Sequence, residues 1–184
     1  MKPNHFKAIA AGLALALSLT APAWSMLAQG AAAPDFSVQA TLGGQVYPFK
    51  LADALKKGPV VLYFFPAAFT SGCTVEAHEF AAAIDDFKAA GASVIGMTAG
   101  NVDRLAEFSV SECRSKFPVA AATSALIASY DSRMAVMPNL SNRTSYVIAP
   151  DGKILLAFTG QNPVEHVQKT LAAVRAWRTA HPAR

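Results

Sequence analysis

The stretch VVLYFF, residues 60–65, constrains the fold of this chain more than any other segment. Six successive large apolar side chains leave no polar face, so a strand built from them has to be covered on both sides, as in layered α/β domains. The run stops at Pro66, crosses the small residues of AAFTSG and reaches Cys73, one of two cysteines in 184 residues. From there the pattern changes to Val75, Phe80, Ile84 and Phe87 and closes on Gly91. That spacing predicts a helix beginning near Cys73 with a glycine at its C-terminal end.

The remaining segments extend the same layer. ASVIGMT is a second buried strand, and NVDRLAEFSVSECRSKF is a second helix ended by Pro118. TSYVIAPDGKILLAF is a hairpin through Pro150-Asp151-Gly152. The last helix carries Val164, Val167, Leu171, Val174 and Trp177 at spacings of three and four. Upstream, GAAAPDF reads as a short linker, and SVQATLGGQVYPF as an edge hairpin around Gly43-Gly44 where Pro48 is tolerated. Leu51 to Leu55 form a helical turn. The order β-α-β-α-β-β-α is that of a thioredoxin-like α/β fold, a central mixed β-sheet flanked by helices in a single domain over 34–182.

Residues 1–25 read differently. Lys2 and Lys7 precede an apolar run from Ala8 to Leu19, too short to span a bilayer and followed by small residues, as in a secretory signal peptide. Cleavage is expected after Ala23, Ser25 or Ala28, which places the product in the periplasm of a bacterium with no stable membrane association. Without the two leader lysines, 14 Lys and Arg oppose 12 Asp and Glu. No basic stripe remains to bind nucleic acid. One cysteine pair is too few for a disulfide framework, although an oxidising compartment favours its closure.

At a helix start, Cys73 meets free backbone N–H groups and the positive end of the helix dipole, which lowers a thiol pKa. A buried structural cysteine fits the same place, and local physics alone leaves the two readings level. Glu76 follows Cys73 by three residues and lies on the same helical side. A bare carboxylate there would raise the thiol pKa, so Glu76 calls for a cation partner. His78, five residues on, points away from the thiol, and His166 has no local signature, so a Cys–His hydrolase lacks a base.

The spacing Pro66-x-x-x-Thr70-x-x-Cys73, with APDF, AAGASVIGMT and RTSYVIAPDGKI around it, resembles the peroxiredoxins, most closely the Q-type subgroup of the bacterioferritin comigratory protein. The resemblance implies a peroxidase acting on hydrogen peroxide and small alkyl hydroperoxides, without metal, haem or other cofactor. By the same resemblance Cys73 is the peroxidatic cysteine, Thr70 hydrogen-bonds the thiolate and the peroxide, and Pro66 shields the pocket from water. Arg143 matches the family's arginine and is a cation with which a functional Glu76 should pair, the other reading of Glu76 being a plain exposed carboxylate.

Many Q-type members carry a resolving cysteine five residues after the first; here that position is His78. The resemblance then points to Cys113, in the following helix, as the resolving thiol of an intramolecular Cys73–Cys113 disulfide. Two other readings stand beside it: a core cysteine one turn after Val110 on a buried face, and a permanent staple in a non-enzymatic binding domain. The implied partners are a peroxide and a thioredoxin- or glutaredoxin-like reductant, and the subgroup implies a monomer.

Overall fold

The computed structural model describes residues 26–182, so the expected leader at 1–25 lies outside the described residues. Thirteen elements follow one another: β1 (Ser37–Leu42), β2 (Gln45–Lys50), α1 (Leu51–Leu55), β3 (Val60–Phe64), α2 (Ser71–Ala89), β4 (Ser93–Thr98), a 3₁₀ turn (Val102–Arg104), α3 (Leu105–Ser111), β5 (Val119–Ala121), α4 (Ser124–Ser129), β6 (Thr144–Ile148), β7 (Ile154–Thr159) and α5 (Pro163–Ala180). The strands form one sheet in the order β2-β1-β5-β4-β3-β6-β7. β3 runs parallel to β4 and antiparallel to β6, so the sheet is mixed and its apolar strand is central.

Alternation along β3 divides the core in two. Val61, Tyr63 and Phe65 face α2 and α5, where Phe80, Ile84, Phe87, Val167 and Val174 pack. Val60, Leu62 and Phe64 face the other layer with Leu51, Ile127, Tyr130 and Tyr146. All five residues of β3 are buried, and the sequence there has no charged member. Pro48 sits in β2, an edge strand paired only with β1, where its missing N–H costs nothing.

α2 positions the site. It closes at its far end with Gly91 in the left-handed region, Gly91 N–H donating to Lys88 O and Ala92 N–H to Phe87 O. This pairing is a Schellman cap. The buried stripe of the helix is Cys73, Glu76, Ala77, Phe80, Ala81, Ile84 and Phe87. Val75, assigned to that stripe from sequence, is instead 44% exposed, and Glu76 takes the buried first-turn position.

Three further expectations are corrected. The helix expected to run to Phe117 ends at Ser111, and Arg114 and Ser115 both adopt left-handed backbone. Beyond this reversal Cys113 and Phe117 both enter the core. Cys113 therefore lies in a turn, and Val110, expected on a buried face with it, is half-exposed. The short β5 and α4 carry too little periodicity to be read from sequence. The supposed linker is paired structure: Ala32 bridges Lys153, and Gly30 N–H donates to Ile154 O.

Candidate active site

Phe65 to Thr70 leave the sheet in a turn whose shape is imposed from β4 and the segment after it. Phe65 N–H donates to Met97 O, and Ala68 N–H to Gly100 O. Thr98 Oγ1 donates to Pro66 O at 3.0 Å, and Asn101 Nδ2 donates to Ala68 O at 2.7 Å. From the other side Ser141 Oγ donates to Phe65 O at 2.9 Å. Held this way, Phe69 adopts φ 62°, a costly conformation for an aromatic residue, with the Arg104 guanidinium 3.9 Å over its ring.

Thr70 is the N-cap of α2, and Thr74 N–H donates to Thr70 O as the first helical bond. The amides of Ser71, Gly72 and Cys73 precede that bond and have no partner within the helix. Cys73 thus occupies the third helical position, where unpaired N–H groups and the dipole favour negative charge. The Thr70 hydroxyl donates to Ala67 O at 3.1 Å rather than to the sulfur, leaving its lone pairs open toward the surface. Pro66 is partly buried and fixes the turn through its carbonyl.

Arg143 enters from the residue before β6 and is 6% exposed. Its Nη2 lies 3.6 Å from Cys73 Sγ, and its Nη1 donates to Glu76 Oε2 in a fully buried ion pair. Cys73, Glu76 and Arg143, 67 to 70 residues apart in sequence for the pairs made, thus form one cluster. Burial pushes the Glu76 carboxyl up to about 8, opposed by the guanidinium beside it.

Both cysteines are buried in the same core layer and neither is disulfide-bonded. Burial drives the Cys113 thiol pKa up, with the Glu112 carboxylate adding to the effect. His78 is partly exposed and holds Glu112 Oε2 at 2.8 Å, tying α2 to the Cys113 turn.

His166 is the residue that sequence reasoning missed. It is fully buried on α5, with Nε2 3.0 Å from Gly160 O and Nδ1 2.8 Å from Ser145 Oγ. Its Nδ1 also stands 3.8 Å from Glu76 Oε1. Desolvation lowers its pKa to about 4. The only sequence signal was a histidine one place before Val167 in the apolar stripe.

A thioredoxin-like sheet that delivers a cysteine to a helix start, beside a buried arginine, defines a thiol-dependent oxidoreductase. The chain belongs to the AhpC/TSA family, whose model matches residues 29–157. A Mycobacterium tuberculosis protein that carries the peroxiredoxin name is 33% identical over 136 residues, covering 72% of this chain and 88% of that one. The chloroplastic peroxiredoxin Q of rice, Oryza sativa subsp. japonica, is 29% identical over 159 residues, covering 82% and 68%. Among solved structures, the peroxidoxin BcpB of Mycobacterium tuberculosis superposes with a TM-score of 0.71 at 31% identity over 80% of this chain and 96% of its own. The chain is accordingly a thiol peroxidase of the peroxiredoxin type.

Proposed function

We propose that this protein reduces hydrogen peroxide and small alkyl hydroperoxides at Cys73 and resolves the product with Cys113. The Cys73 thiolate attacks one peroxide oxygen, the O–O bond breaks, and the other oxygen leaves with the bonding pair and takes up a proton as water or alcohol. Cys73 is then a sulfenic acid. The Cys113 thiol attacks that sulfur, an S–S bond forms, and water departs. A dithiol protein of thioredoxin or glutaredoxin type restores both thiols by exchange.

The observation that carries this reading is the Nη2–Sγ approach at the amide-rich start of α2. A guanidinium keeps its charge, and with Nη2 beside the sulfur it would stabilise both the thiolate and the negative oxygen that develops as the O–O bond breaks. The permanent-staple reading is disfavoured by the same contact, because a disulfide would take Sγ away from Arg143. A disulfide needs Cα atoms within about 6 Å. The strained Arg114–Ser115 backbone beside Cys113 is the place where the chain can open to reach it.

Export through residues 1–25 belongs to the same proposal. Cleavage after Ala23 or Ser25 retains Leu27, whose N–H donates to Tyr146 Oη at 3.2 Å, whereas cleavage after Ala28 discards it. The peroxidase reading is checked by adding one equivalent of peroxide to reduced protein and counting thiols. Rapid loss of two thiols is expected, abolished in Cys73→Ser and replaced by a lasting sulfenic acid in Cys113→Ser. Slow loss that ignores peroxide would leave only the staple.

A further inference from the structure

The end of the sheet remote from Cys73 holds a cleft that the peroxidase chemistry leaves unused. The catalytic turn follows the C-terminal end of β3, whereas this cleft is built from segments that enter the strands: Gly58 before β3, Gly91 to Ser93 at the start of β4, and Pro118 before β5. β3, β4 and β5 run parallel, so the two regions lie at opposite ends of the sheet. The cleft measures about 600 Å³, within the range of sites for small organic molecules.

One wall comes from β2. Tyr47 and Phe49 are two residues apart, so both side chains stand on one face of the strand, half-buried against the core layer that holds Leu51 and Tyr130. Phe49 is fixed there by stacking on Phe36, with ring centroids 6.0 Å apart. Buried Ala92 and Val94, with the Pro118 ring, extend the apolar lining. At the floor the backbone is bare: a Cβ at Gly58 would collide with Gly91 O, so the two loops touch with no side chain between them.

The rim has the opposite character. Lys50 precedes α1, Lys57 follows it, and Lys88 stands in the last turn of α2. Three exposed ammonium groups from three segments thus ring one apolar cleft, and among the described residues none of them has an ion-pair partner. The one carboxylate of the lining, Asp53, is held by Lys56 at 2.7 Å. Like charges gathered around a hollow of low dielectric repel one another, and an anion seated among them relieves that repulsion. Tyr47 adds a hydroxyl that burial keeps un-ionised, with no hydrogen bond contributing to the raised pKa.

We propose that this cleft binds a small amphipathic monocarboxylate, its apolar body against Tyr47 and Phe49 and its head group among Lys50, Lys57 and Lys88. The lining selects the body and the rim selects the charge. An ammonium on a flexible stem is a point charge that imposes no bidentate geometry, so the head group is recognised by sign and reach. Nothing in this site involves Cys73, and the inference stands apart from the peroxidase reading.

The test is calorimetric titration of the protein with hexanoate, octanoate and octylammonium. A buried methylene is worth about fourfold in affinity, so octanoate should bind roughly tenfold more tightly than hexanoate. Octylammonium, with the same chain and the opposite charge, should not bind at the cleft. Combining Lys50→Gln, Lys57→Gln and Lys88→Gln should weaken octanoate roughly tenfold and remove the salt dependence of what binding remains. The amide chemical shifts of the parent protein locate the site even if that triple variant fails to fold. Octanoate should move Tyr47–Ala54 and Gly91–Val94 and leave Ser71–Val75 in place.

Octanoate that fails to bind, binds no better than hexanoate, or is matched by octylammonium overturns the proposal. So does a folded triple variant of unchanged affinity, or a set of shifted amides that lies away from the cleft. Thiol counting after peroxide reads the other end of the sheet, so either reading can fail alone.

Discussion

Gly72→Ala isolates the contribution of Arg143 without touching any charged group. A Cβ at residue 72 would stand 2.9 Å from Arg143 Nη2 and 3.9 Å from Cζ. Comfortable contact begins near 3.5 Å, so the guanidinium has to yield by roughly half an ångström. Glu76 holds Nη1, and the available motion is a pivot about that bond, which swings Nη2 away from Cys73 Sγ. A hydrogen bond involving a charged group is worth about 1.5–3 kcal/mol, so losing most of this one should slow the reaction with peroxide roughly 10- to 100-fold.

Stability should move the other way, or not at all. Gly72 is not among the residues of positive φ, so alanine meets no backbone strain, and inside a helix it gains roughly 0.5–1 kcal/mol over glycine. The assay is stopped-flow peroxide consumption with thermal unfolding of the same preparation. A variant that reacts within twofold of the parent, with an unchanged melting temperature, would refute the argument that Arg143 activates Cys73 through this contact. A rate loss matched by a drop in melting temperature would show only a damaged helix.

Two further outcomes follow from the same geometry. Between pH 6.5 and 8 the folded Glu76 keeps a proton, while in the unfolded chain both Glu76 and His166 have lost theirs, since the unfolded His titrates near 6.5 and the folded Glu76 at about 8. The folded state binds more protons there, so stability falls as pH rises, by about 2 kcal/mol. Urea melts at the two pH values should show this loss, and Glu76→Gln should abolish it. Oxidation by one equivalent of peroxide should raise amide exchange at Ser71–Val75 and Glu112–Phe117 as both segments open. His78→Ala, which frees Glu112, should speed disulfide closure by up to about fivefold, the scale of a surface ion pair. Identical exchange in the two redox states would argue against opening.

Much of the architecture could be read from one dimension because strong local signals coincide with burial. VVLYFF, the Gly91 cap, the Pro150–Gly152 turn and the α5 stripe each combine a period with a terminator. β5 and α4 escape because three and six residues span fewer than two periods of a strand and of a helix, too few to establish a pattern, and the place of β5 is settled by its neighbours: Val119 and Ala120 lie between β4 and β1. Hydrophobicity alone points Val75 to the core, yet it is exposed. In the structure the first turn of α2 is rotated so that the carboxylate of Glu76 is inside, opposite Arg143.

The amino-acid sequence by itself determined that a both-sides-covered strand runs into a turn and a helix bearing Cys73, and the spacing of Pro66, Thr70 and Cys73 carried the resemblance to the peroxiredoxins. Those are features of neighbours in the chain, where backbone preference and periodicity are legible. What only the tertiary structure decided is the set of contacts made across long separations: Arg143 to Cys73 and Glu76, Thr98 and Asn101 to the turn, His166 to the orphaned carboxylate oxygen. Each is an electrostatic fit between groups brought together by sheet order and helix packing. A histidine in an apolar stripe shows no trace of its partner until α5 is laid against α2 and β6.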